Sequence, residues 1–101
     1  MMKKIVLLCS EGMSTGILVN KILDCAKKCG KEYDISAHAV TEASIYGADA
    51  DLILLGPQVR FNLTRVKDEL PGKIVDVIDM RDYGTMNADG ILKKIQGMIG
   101  E

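Results

Sequence analysis

The sequence predicts an α/β fold: a four-stranded parallel sheet in the order 2-1-3-4 with helices on both faces, in the flavodoxin-like manner. Two segments, Ile5-Val6-Leu7-Leu8 and Leu52-Ile53-Leu54-Leu55, are apolar without alternation, the pattern of central strands buried on both faces. Strand-like and helix-like segments alternate along the whole chain, which calls for crossover connections between parallel neighbours. Right-handed crossovers that keep the two apolar strands in the middle give the order 2-1-3-4.

The first strand covers residues 4–9. The helix after it runs to about residue 29, with Leu18, Ile22, Cys25 and Cys29 on one stripe and Asn20, Lys21, Asp24, Lys27 and Lys28 facing water. Ser14 or Thr15 caps its start, and Gly30 ends it where a left-handed backbone is needed. Residues 33–40 form the second strand, in which Ile35 and Ala37 alternate with Asp34, Ser36 and His38, as expected nearer an edge. Thr41 caps a short helix over residues 42–46, followed by the polar turn 47–51. The third strand, residues 52–55, ends at Gly56-Pro57-Gln58. Pro57 suits the first turn of a helix whose stripe is Val59, Leu63, Val66 and Leu70, and Pro71-Gly72 stop it. The fourth strand, residues 73–78, stops at Asp79, and residues 80–86 read as a loop. Asn87 caps the last helix, which turns Ile91, Leu92, Ile95 and Ile99 inward.

At 101 residues, 48% hydrophobic and 27% charged, the chain is expected to be one domain, 1–101, with one core. A net charge of -1 gives no electrostatic reason to expect nucleic acid. The longest apolar runs are strand-sized, far short of a membrane span. Met1-Met2-Lys3-Lys4 has the look of a signal n-region, but the apolar run after it stops at Cys9 with no small-residue cleavage site. A cytoplasmic location is therefore expected. Three cysteines without a Cys-x-x-Cys pair, and one histidine far from them, argue against a disulfide framework and a zinc site. No metal or organic cofactor is expected. Cys25 and Cys29 read as small core residues, and His38 as a hydrogen-bonded or solvated strand residue.

Cys9 is set apart by its neighbours. The stretch Cys9-Ser10-Glu11-Gly12-Met13-Ser14-Thr15-Gly16 joins a buried strand to a helix. Unpaired N–H groups and the positive end of the helix dipole favour an anion there, and they favour the nucleophilic thiolate as well. In such sheets the site lies at the carboxyl ends of the strands, beside the switch point between strands 1 and 3. That places the loop next to Gly56-Pro57-Gln58, with residues 79–83 on the same rim. Gly12 and Gly16 are not followed by Lys-Ser/Thr, and no Gly-x-Gly-x-x-Gly occurs, which excludes the common nucleotide loops. A cysteine phosphatase has an Arg after five intervening residues; here Thr15 holds that place, and the first Arg is Arg60. Without a bidentate guanidinium, backbone amides and the hydroxyls of Ser10, Ser14 and Thr15 must hold a phosphate, which suits a carrier better than a hydrolase. Asp79 and Asp82 stand near where a general acid would act, but a strand-end Asp reads first as a loop cap.

Cys9 closing strand 1, the loop Gly12-Met13-Ser14-Thr15, Leu54-Leu55-Gly56-Pro57-Gln58 and Tyr83-Gly84 carry a resemblance over essentially the whole chain. The sequence resembles the IIB component of the bacterial phosphoenolpyruvate-dependent sugar phosphotransferase system, lactose/cellobiose (diacetylchitobiose) class. The resemblance implies that Cys9 accepts a phosphoryl group from a phosphohistidine on a IIA protein. It implies that the group then passes to a sugar on the membrane-embedded IIC protein, of the type of cellobiose, chitobiose or lactose. Ser10, Glu11, Gly12, Met13, Ser14, Thr15 and Gly16 would cradle the phosphate; the acid at Glu11 is a departure from the family pattern that only a carboxylate turned to solvent would reconcile with a phosphate. Gln58 and Tyr83 would line the rim and touch partners; their plainer roles are a first-turn helix residue and a ring packed over the sheet. Met13, Val59, Phe61 and Met86 are expected as an apolar collar around Cys9, adaptable to two partners in turn. Two other readings stay open: a low-molecular-weight cysteine phosphatase, and a non-enzymatic module in which Cys9 is a redox-sensitive or structural thiol.

Overall fold

A computed structural model describes residues 2–10 and 15–101. Four strands, β1 (Lys3–Cys9), β2 (Tyr33–Ala39), β3 (Leu52–Leu55) and β4 (Ile74–Val77), form one sheet in the order β2-β1-β3-β4. All neighbours are parallel: Ile5 lies opposite Ile35 on one side and Leu52 on the other, and Leu52 lies opposite Ile74. Fold class and strand order are those the apolar runs predict.

The two central strands are buried on both faces because successive side chains point to opposite sides of a strand. Ile5, Leu7, Leu52 and Leu54 pack with helices α1 (Gly16–Lys28) and α5 (Ala88–Met98) on one face. Val6, Leu8, Ile53 and Leu55 pack with α2 (Ala43–Tyr46) and α3 (Leu63–Glu69) on the other. No described helix is long and apolar enough to cross a membrane.

The ends of α1 show where local rules hold and where they fail. Gly30, at φ +74, donates its N–H to Lys27 at 3.0 Å, and Lys31 donates to Ala26 at 2.9 Å, so a glycine-closed C-terminal motif ends the helix as expected. The buried stripe, however, runs through Leu18, Val19, Ile22 and Ala26. Cys25 is only half-buried, and Cys29, the C-cap residue past the last turn, is exposed, which corrects its reading as a core residue. A carboxylate, Asp89 on α5, is hydrogen-bonded to the Cys25 thiol and is the main reason its pKa is raised.

Three further boundaries differ from expectation. Thr41 caps nothing: it lies inside a 3-10 turn, Val40–Glu42, that leads into α2. After β3 the chain forms a 3-10 turn, Pro57–Asn62, interrupted at Val59 (φ -116°, ψ 22°), and α3 starts only at Leu63. The stretch read as a loop after β4 contains a short helix, α4 (Met80–Gly84). Asp79 builds it by accepting from the amides of Arg81 at 2.8 Å and Asp82 at 3.2 Å. Asn87 caps α5 as expected, accepting from the Gly90 amide at 3.3 Å. His38 is hydrogen-bonded to Ser36 at 3.0 Å and stacks on Tyr46 with ring centroids 3.6 Å apart.

Candidate functional site at the carboxyl ends of the strands

Cys9 is the last residue of β1 and is 2% exposed. Ser10, the next residue, is exposed. Glu11, Gly12, Met13 and Ser14 lie outside the described residues, so their expected part in a phosphate cradle rests on the sequence alone. The chain is described again from Thr15, the N-cap of α1, with Gly16 as the first helical residue. Strand, thiol and helix N-terminus follow one another in the expected order.

Thr15 is fully buried, and its side chain makes no capping hydrogen bond. Among the described residues, its Oγ1 is the one buried side-chain oxygen or nitrogen without a hydrogen-bond partner. A hydroxyl left in that state is destabilising, so a position that keeps one needs a reason.

Hydrogen bonds continue past the formal strand ends and fix the rim. The Gly56 amide donates to the Leu8 carbonyl at 2.8 Å, and the Ile78 amide donates to the Leu55 carbonyl at 2.8 Å. Gly56 is a close-approach point that sequence reasoning did not single out. A Cβ there would lie 3.2 Å from Gln58 Oε1, 3.6 Å from the Leu8 carbonyl and 3.8 Å from Tyr83 Cε2. The same distances place Gln58 and Tyr83 each beside Gly56 near the end of β1, from the connections after β3 and β4. Gln58 is exposed; Tyr83 is half-buried against the α1/α5 cluster.

The apolar collar does not assemble as a group. Val59 is a core residue packed with Leu8 and Leu55, as its stripe position requires, whereas Met86 packs on the opposite face of the sheet. Met13 lies outside the described residues. Of the three described members, Phe61 alone is exposed, at 75%. Two exposed apolar residues near the same ends, Ile17 and Met80, were missed. The signal was available: Ile17 falls off the buried stripe of α1, and Met80 directly follows the residue that ends the fourth strand.

Two described acids near the site, Asp79 and Asp82, are committed elsewhere. Asp79 caps α4, and Asp82 accepts from Lys94 Nζ at 3.0 Å and from Asn87 Nδ2 at 3.1 Å. Those contacts, Lys94 first, hold the Asp82 carboxyl below its ordinary value, so it is a poor proton donor near neutral pH. No described group of three or more His, Cys, Asp or Glu residues could hold a metal ion. Arg60 turns its Nη1 to the Pro57 carbonyl at 2.8 Å.

Comparison with known proteins agrees with this fold. Residues 4–94 match the family described as "PTS system, Lactose/Cellobiose specific IIB subunit". The chain is 38% identical over 104 aligned positions to the PTS system galactose-specific EIIB component of Lactococcus lactis subsp. cremoris, covering 96% of each. It is 42% identical over 91 positions to the oligo-beta-mannoside-specific EIIB component of Bacillus subtilis, covering 88% of this chain and 86% of the relative. The solution structure of a cellobiose-specific phosphotransferase IIB component from Borrelia burgdorferi superposes with a TM-score of 0.83 at 34% identity, over 99% of this chain and 94% of that one. The chain belongs to the lactose/cellobiose-specific IIB family of the phosphotransferase system.

Proposed function

We propose that the protein is a cytoplasmic, single-domain phosphoryl carrier that uses Cys9 as its phosphorylated residue. The donor is a phosphohistidine on a IIA protein, and the acceptor is a sugar hydroxyl presented by a membrane IIC permease. In the first step Cys9 Sγ attacks phosphorus. The N–P bond of the phosphohistidine breaks as the S–P bond forms, and the imidazole leaves with the proton that the thiol gives up. In the second step the sugar oxygen attacks, the S–P bond breaks, and sulfur leaves as the thiolate while the hydroxyl proton passes to solvent or to a base of the permease. The names of the relatives favour a β-linked saccharide of the cellobiose or lactose type as the sugar.

The observation that carries this reading is the buried Thr15 hydroxyl at the start of α1, without a hydrogen-bond partner among the described residues and in the place where a phosphatase needs its Arg. A neutral donor joined to helix amides can hold a phosphate, but it lacks the fixed charge that stabilises the transition state of hydrolysis. Burial of Cys9 at 2% exposure supports the same conclusion, because a carrier must keep water from its phosphorylated intermediate. Ser10, Glu11, Gly12, Met13, Ser14 and Gly16 complete the proposed cradle, with Gln58, Phe61 and Tyr83 on the partner-facing rim.

The test is incubation with phosphoenolpyruvate, the general phosphotransferase proteins and a IIA protein, followed by intact-mass analysis. The proposal expects one added phosphate on the wild type and none on Cys9→Ser. Aryl-phosphate turnover without stable phosphate acceptance would transfer the case to the phosphatase.

A further inference from the structure

The sheet has two edges, β2 and β4, and they are finished differently. The amides of Asp51 and Gly56 donate to the carbonyls of Lys4 and Leu8, each at 2.8 Å, so alternate residues of β1 turn to β3 and those between them, Ile5 and Leu7, turn to β2. In a parallel ladder Ile5 and Leu7 bond the residues that flank their register partners, Ile35 and Ala37. The N–H and C=O groups of Ile35 and Ala37 therefore point away from the sheet. At the other edge the Ile78 amide bonds Leu55, so it is Val77 that points outward. Its amide is already taken: it donates to Asp76 Oδ1 at 2.8 Å.

A charged side chain folded over the backbone of a four-residue strand blunts that edge against pairing. β2 has no such device. It runs for seven residues, Tyr33–Ala39, without a proline, lysine or glycine. Among the described residues, no side chain bonds the backbone of Ile35 or Ala37. An open edge of that length is a template for another strand.

The sequence of β2 is complementary to itself about Ser36. Two copies laid antiparallel with Ser36 opposite Ser36 set Ile35 against Ala37 and Asp34 against His38, each on both sides of the axis. Ile35 and Ala37 then exchange backbone bonds, because their groups face outward. Asp34 and His38 become a non-hydrogen-bonded pair, the kind whose side chains stand closest, so an acid meets an imidazole. The next registers lose this match, setting Asp34 against Ser36 or Val40. His38 is already held in place: its ring stacks on Tyr46 with centroids 3.6 Å apart and bonds Ser36 at 3.0 Å, which lowers the cost of ordering it. Lys4, beside Asp34 on β1, has Asp49 as its partner at 2.8 Å.

We infer that β2 is a self-association edge, at which two copies of this chain join antiparallel about Ser36 and merge their four-stranded sheets into one. The two Cys9 ends point in opposite directions in this dimer, so each copy keeps its own rim open. The inference is independent of the phosphoryl-transfer reading.

Sedimentation equilibrium under reducing conditions tests it. The mass of the wild type is expected to rise towards twice that of the chain between about 5 µM and about 1 mM, as for a weak dimer. Ala37→Pro removes an outward amide and leaves the bonds to β1 alone, so it is expected to stay monomeric with an unchanged circular dichroism spectrum. Asp34→Lys is expected to weaken association by about tenfold, and Asp34→Lys with His38→Glu to recover it. Mild oxidation of Ser36→Cys is expected to give a covalent dimer joined through position 36 of both chains, located by peptide mass so that the native Cys29 is not the source. Asp34→Cys, whose two copies stand about 13 Å apart in this register, is expected not to link. A wild type that stays monomeric to about 1 mM, or a dimer that folded Ala37→Pro leaves intact, overturns the inference. If Ala37→Pro does not fold, the Ser36→Cys link decides: its presence supports the edge pairing and its absence overturns it.

Discussion

Thr15 keeps a buried hydroxyl that has no hydrogen-bond partner among the described residues. Thr15→Val keeps the branched shape and removes the orphan oxygen, so it is expected to leave stability unchanged or raise it by about 1 kcal/mol. The same change is expected to slow phosphorylation of Cys9 by about 10- to 100-fold under the proposed function, in which this hydroxyl donates to the phosphate. Thermal unfolding and single-turnover transfer check the two halves separately. If Thr15→Val destabilises the protein and transfers normally, the hydroxyl is structural. What was legible of Cys9 in the sequence is its place at the end of β1, where an apolar strand precedes it and a Gly/Ser/Thr loop follows it. Cys29 was misread because spacing reports the face of a helix and not where the helix runs past its support. Val59 obeyed its stripe and left the proposed collar, while Phe61, which no stripe claims, stayed exposed.

The elements around the site are held by short-range contacts that periodicity cannot reveal. Helix α4 has five residues and no apolar stripe, so its only sequence signal was the capping Asp79. Behind it, Asp82 joins α4 to α5 through Lys94 and Asn87. Asp82 is depressed below 3.8, chiefly by Lys94, so its contribution to stability is complete above its unfolded pKa and is lost as the pH falls through the lower folded value. Lys94 is raised above 10.5, chiefly by Asp82, so its contribution is complete below 10.5 and is lost as the pH rises through the folded value. Asp82→Asn is therefore expected to lower the melting temperature slightly at neutral pH, with the gap to wild type closing at both extremes of a pH series. A gap that stays constant across pH would remove the bridge as its cause. Gly47 marks another element-level constraint, where α2 turns towards β3. A Cβ there would meet Leu70 Cδ1 at 2.6 Å and the Ala43 carbonyl at 2.7 Å. Because one of the two is backbone and cannot step aside, Gly47→Ala is expected to cost about 1–3 kcal/mol in denaturant unfolding. A neutral result would show that α2 can shift.

For the molecule as a whole, the sheet was legible because the paired stretches of its two central strands, residues 5–8 and 52–55, have no polar residue to place. An apolar run of four or five residues has one comfortable home in a small α/β protein, and crossover handedness then orders the rest. The rim was less legible. It is assembled from the connections after three strands, and its residues come together only once the strands are in register: Leu8 and Tyr83, far from Gly56 and Gln58 in the chain, lie beside Gly56 in space. A strand-end glycine such as Gly56 shows its purpose only against the atoms that crowd it.

The most direct measurement is phosphorus NMR of the protein after phosphorylation by its donor, combined with peptide mapping of the modified site. The account predicts a single thiophosphate resonance, stable to dilution of the donor, mapped to the peptide that contains Cys9 and discharged when permease and sugar are added. A phosphoramidate resonance mapped to His38, the only histidine, or a protein that releases inorganic phosphate without holding it, would contradict the account.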